Sequence, residues 1–177
     1  MQFSLTTVLP AVLAAFIPLT QALPANLLSR ATIQQIADAQ NQWRSDTSDV
    51  SQFLSAVPSF LGAGSKLSSA AQPALASEKD ELLHKKVLDD AFGSDPRIIN
   101  ANEVLVNQGT FQFVVDSLQN YAENGSTMSD DDVTTLLQQV NSVRCGKVLP
   151  AIDMYFVVAG EKLNNGGTLV ATRPNNC

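Results

Sequence analysis

Residues Gly109–Ala122, GTFQFVVDSLQNYA, carry the pattern that decides the fold. Phe111, Val114, Val115, Leu118, Tyr121 and Ala122 recur at spacings of three and four, which gathers them on one face of a helix. Asp116, Gln119 and Asn120 fall on the opposite face. A helix with one broad apolar and aromatic face must bury it against neighbours, so this stretch is expected to be the central helix of a bundle.

The flanking stretches keep the same period. In Thr32–Val57, Ile36, Trp43, Val50 and Val57 are spaced by seven, and Phe53 and Leu54 widen the stripe. Gln40 and Thr47 share that face, so the seam is not purely apolar. Thr32 is placed to cap this helix, Pro58 to end it, and Gly62-Ala63-Gly64 to turn the chain. A second helical region runs over Ser65–Ala91. Its Ser68–Ala76 segment is nearly all small residues, and Pro73 predicts a kink or a restart, since proline costs about 3 kcal/mol inside a helix. Beyond Glu78 the pattern is charged, and Leu82, Leu83, Val87 and Leu88 are expected to supply the buried face.

Gly93-Ser94-Asp95-Pro96 is a break, with Asp95 as N-cap and proline at the first helical position of a short helix bearing Ile98, Ile99, Val104 and Leu105. Gly109 separates that helix from the central one or bends it. Ser129 caps a further helix, whose first turn, Asp130-Asp131-Asp132, suits the helix dipole. Val133, Leu136, Leu137, Val140 and Val143 form its apolar face. Leu149–Val158 reads as a buried helix ending near Gly160, although β-branched Val157 and Val158 leave a strand open. The expectation is an all-α fold, one bundle of about five or six helices over residues 31–177.

Length and composition agree. A chain of 177 residues with a 45% hydrophobic fraction can bury one sizeable core, and 6% aromatics leaves Ala, Leu and Val to fill most of it. The net charge of −6, without a basic stripe, disfavours nucleic acid as a partner. One histidine and two cysteines cannot form a closed Cys/His zinc site. No cofactor or metal is expected from the motifs.

Residues 3–19, FSLTTVLPAVLAAFIPL, read as the apolar core of a signal peptide ending at Ala22, after Thr20 and Gln21. The run is short for a membrane span and lacks basic flanks, so no stable span is expected in the mature chain. Leu23–Arg30 reads either as a propeptide trimmed after Arg30 or as a frayed N-terminus. Export gives Cys145 and Cys177 an oxidising compartment, and a bridge between them would staple the Asn- and Gly-rich tail to the body. Asn124-Gly125-Ser126 is a glycosylation sequon just past the central helix, where a glycan would face solvent. The protein is therefore expected outside the cell or in the cell wall.

Chemistry-bearing motifs are few. His84, the sole histidine, has Glu81 one turn away but no nucleophile elbow to serve, and is expected at the surface. Asp130–Asp132 lack the alternate spacing of a calcium loop. The carboxylates Glu78, Asp80, Glu81, Asp89 and Asp90 offer pairs, as any acidic protein does. What remains is apolar surface: Phe111, Phe113, Val114, Tyr121, Tyr155 and Phe156 could line a site for a lipid-like ligand between helices, with an ordinary packed core as the alternative. Phe113 lies off the main stripe and faces either a second helical layer or the surface.

The leader, the short segment ending in Arg30 and the single cysteine pair resemble a small secreted protein of filamentous fungi. The helical layout over residues 31–160 and the alanine-rich Ser68–Ala76 segment are similar to the hydrophobic surface-binding, cell-wall mannoprotein group. That resemblance implies a bundle that binds apolar surfaces or fatty acids. The chain departs from the group in lacking a Ser/Thr-rich tail and in having Cys145 and Cys177, and no binding residues are carried over. Two functional expectations follow. One is a non-enzymatic secreted protein that binds an apolar ligand or surface. The other is an effector or cell-wall interaction protein that engages a host or wall partner through its surface, over a packed core.

Overall fold

A computed structural model describes residues 31–166 and 168–177; the leader and the Leu23–Arg30 segment lie outside them. The described residues form an all-α bundle without strands. Its helices are α1 (Ile33–Ala56), α2 (Gly64–Phe92), α3 (Pro96–Asn102), α4 (Thr110–Asn124), α5 (Asp130–Val143) and α6 (Leu149–Leu163). Two π-helical turns, Glu103–Asn107 and Arg144–Val148, continue α3 and join α5 to α6.

The caps follow local chemistry. Thr32 accepts from the Gln35 amide while Gln35 accepts from the Thr32 amide, a reciprocal capping box at α1. Asp95 and Ser129 cap α3 and α5 as expected, and Asp130–Asp132 are exposed in the first turn of α5. After Ala56 the chain tightens into a 3₁₀ turn, Val57–Phe60, around Pro58. Gly109 enters α4 at φ 66°, a left-handed conformation that a side chain would resist. Leu149–Leu163 is helical throughout, which excludes the strand reading of Val157 and Val158.

Of the kink or restart expected at Pro73, the restart does not occur: α2 runs unbroken from Gly64 to Phe92. Pro73 and Ser69 are both exposed, so the carbonyl deprived of its helical partner can turn to water. The expected buried face of α2 needs a larger correction. Leu82 and Leu83 are 45% and 63% exposed. The buried stripe is Leu67, Ala71, Ala74, Glu78, Glu81, Lys85 and Leu88. These positions keep a strict three-and-four spacing, and Leu82 and Leu83 lie about 100° and 200° away from Glu81 around the axis. The small residues at the start of the stripe fix the face, and the charged ones follow it inward.

Helix α1 packs chiefly on α2, α2 also on α4, and α3 on α6. Gln40 and Thr47 are buried in the α1 seam beside Trp43, Val50 and Leu54. Cys145 and Cys177 form the expected disulfide, with Cα atoms 5.7 Å apart. The tail is also held by direct bonds. Ser51 donates to the Thr172 carbonyl at 2.6 Å, Asn176 to the Leu54 carbonyl at 3.1 Å, and the Ala171 amide to Asp153 at 2.7 Å.

Candidate functional site

The aromatic residues singled out in the sequence sit mainly inside the packing. Phe111, Val114, Tyr121, Tyr155 and Phe156 are buried, and Phe113 is half-buried against the same core. Tyr155 and Phe156 meet Trp43 with ring centroids at 5.0 and 5.8 Å. Tyr121 meets Phe53 at 5.9 Å. Both tyrosine hydroxyls have acceptors, Val133 O at 2.9 Å for Tyr121 and Asp89 Oδ1 at 2.6 Å for Tyr155. Burial raises the pKa of both phenols, so they remain neutral donors.

A surface groove lies elsewhere, between α3 and α6. Its volume is about 420 Å³, and its apolar lining comes from Ala101, Val104, Pro150, Ala151 and Met154. Arg97, Asn100, Gly146 and Lys147 complete it. Each wall carries a π-helical turn: Val104 belongs to the first, Gly146 and Lys147 to the second. A π turn carries an extra residue and bulges the backbone, a device often found at functional sites. Arg97 is tied to Asp95 and Glu161 at 2.8 and 2.7 Å. Lys147 is exposed and has no ion-pair partner among the described residues. The groove thus has an apolar floor and an uncommitted cation at its rim.

A second polar feature is enclosed by α1, α2 and the Arg144–Val148 turn. Arg144 is fully buried. It donates to Glu78 at 2.7 Å and to the Thr47 carbonyl at 3.2 Å, and stands 3.7 Å from Glu81. Glu81 also accepts from the Trp43 indole at 2.8 Å. Two buried carboxylates thus share one guanidinium, and Glu78 Oε1 and Glu81 Oε1 have no hydrogen-bond partner. Burial, then the neighbouring Glu78 charge, holds the Glu81 carboxyl well above the usual range.

His84 is not the surface residue expected: its side chain is only 12% exposed. Its Nε2 lies 3.3 Å from Asp46 Oδ2 and 3.3 Å from Asp80 Oδ2. Burial pushes the Asp46 carboxyl up to about 6, with His84 pulling it down and Asp80 and Asp49 adding to the rise. Nearby, Lys85 binds Asp89 at 2.6 Å and also Asn102, closing a network with Tyr155. Asn124 is exposed at the end of α4, as the sequon reading anticipates, and its amide donates to Asn120 at 2.9 Å.

The groove left no mark in the sequence, because a π turn has no residue signature. The buried charges did leave one: extending the Leu67, Ala71, Ala74 phase by helical steps lands on Glu78, Glu81 and Lys85. Comparisons with protein families, with curated proteins and with solved structures yield no match. Among the described residues no helix is long and apolar enough to cross a membrane.

Proposed function

We propose that the chain is a secreted, non-enzymatic binding protein that holds an amphiphile with an apolar tail and an anionic head in the α3–α6 groove. The observation that carries this reading is the groove itself, with apolar walls, a volume of about 420 Å³ and Lys147 at its rim. Small-molecule sites typically span about 300–1,000 Å³ and combine an apolar lining with a few placed polar groups. The likeness to the hydrophobic surface-binding group points to the same ligand class. The disulfide suits an oxidising, extracellular setting.

Titration of the disulfide-intact protein with a fluorescent long-chain fatty acid tests this. Saturable binding is expected, displaced by an unlabelled acid and weakened at least tenfold by Met154→Glu. Lys147→Glu should weaken the acid more than the corresponding alcohol. Absence of saturable binding removes the reading. A surface-interaction role is the second reading. It is favoured by exposed Leu82 and Leu83 on α2, outside the groove lining.

A further inference from the structure

We propose that His84, Asp80 and Asp46 form a binding site for a divalent transition-metal ion of the zinc class, bridging α1 and α2. Asp80 and His84 are one helical turn apart on α2, so both project toward the same side, where Asp46 of α1 meets them. One ligand atom from each of the three residues lies within 4.8 Å of the other two.

Two of the three distances match the edges of a coordination polyhedron. A zinc ion held tetrahedrally at about 2.0–2.1 Å from nitrogen and oxygen ligands separates those ligands by about 3.3–3.4 Å. His84 Nε2 lies 3.3 Å from each carboxylate oxygen. Asp46 Oδ2 is buried and has no well-formed hydrogen bond, its neighbour being the His84 ring nitrogen at 3.3 Å. An ion placed between the three groups would satisfy it.

Charge favours a cation. Asp46 and Asp80 flank His84, Asp49 adds negative charge near Asp46, and the buried Glu78 and Glu81 share Arg144. The imidazole ligand selects against calcium and magnesium, which take oxygen donors. The open side is toward Asp80, which is 50% exposed, so water or an external ligand can complete the shell. A single histidine excludes a closed Cys/His centre but permits this mixed one.

The test uses the whole disulfide-intact protein, stripped with a chelator and titrated with zinc chloride by calorimetry near neutral pH. One equivalent should bind saturably, and the melting temperature should rise with zinc concentration. His84→Ala and Asp46→Asn should each weaken binding at least about tenfold. Because Asp80 is half exposed, Asp80→Asn should fold normally and still weaken binding. Cobalt in place of zinc should give a visible ligand-field band that Asp80→Asn alters. No saturable zinc binding, binding unchanged in both His84→Ala and Asp80→Asn, or equal binding of calcium would overturn the proposal.

Discussion

Replacing Arg144 with methionine removes the only guanidinium among the described residues that faces Glu78 and Glu81. Arg144 is fully buried, and so are both glutamates. The substitution keeps most of the side-chain volume and deletes the 2.7 Å bond to Glu78, the 3.2 Å bond to the Thr47 carbonyl and the 3.7 Å approach to Glu81. Breaking a buried pair by removing one partner costs about 3–5 kcal/mol, because the remaining charge is stranded. The Thr47 carbonyl adds about 1 kcal/mol, partly offset by methionine packing. A net loss of about 3–5 kcal/mol is expected. Trp43 is the sole tryptophan, is fully buried and donates to Glu81, so its fluorescence reports directly on this region. With a urea m-value of roughly 2 kcal/mol/M, the unfolding midpoint should fall by about 2 M. Glu81→Gln is the control. It removes the second ionisable carboxyl and keeps an acceptor for the indole, so it should cost less than about 1 kcal/mol or stabilise. If Arg144→Met costs less than 1 kcal/mol, or Glu81→Gln costs as much as Arg144→Met, the charge pairing described for this cluster is wrong.

Three further outcomes are expected. Cys145→Ser with Cys177→Ser opens a loop closed across 32 residues and should lower stability by about 3–4 kcal/mol on the chain-entropy model; an unchanged melting temperature would show that the tail's other bonds suffice. Leu82→Ser and Leu83→Ser should each shift stability by no more than about 0.5 kcal/mol, whereas Leu88→Ala should cost about 2–5 kcal/mol; similar losses in denaturant titrations would restore the face first expected for α2. Hydrogen bonds from Arg97 hold the Asp95 carboxyl below its ordinary 3.8. Its stabilising contribution is therefore complete above that value and lost as pH falls through the lower, folded one. The melting-temperature gap between the native protein and Asp95→Asn should be steady near neutrality and close in acid, and a gap that widens in acid contradicts this.

Much of the bundle was legible in the sequence because helix period, capping and turn residues are local. Thr32, Asp95, Ser129 and Gly109 act on atoms a few residues away, so their roles survive whatever the rest of the chain does. The seam through Ile36, Trp43, Val50 and Val57 was readable for the same reason, down to the inclusion of Gln40 and Thr47. The cysteine pair needed only its count and the expectation of export.

Tertiary structure decided which side of α2 faces inward. Leu82 and Leu83 look like core residues until Arg144, distant in the chain, supplies a buried countercharge for Glu78 and Glu81. Hydrophobicity assigns a charged residue to water on average; a partner from another helix reverses that for a particular residue, and no local window contains the partner. The same holds for His84, whose burial depends on Asp46 across the α1–α2 contact, and for the α3–α6 groove, whose walls come from segments more than forty residues apart. The helices, their ends and the staple follow from local pattern; the juxtapositions that create charge clusters and grooves arose only when those helices packed, because electrostatic pairing and cavity shape depend on distances through space.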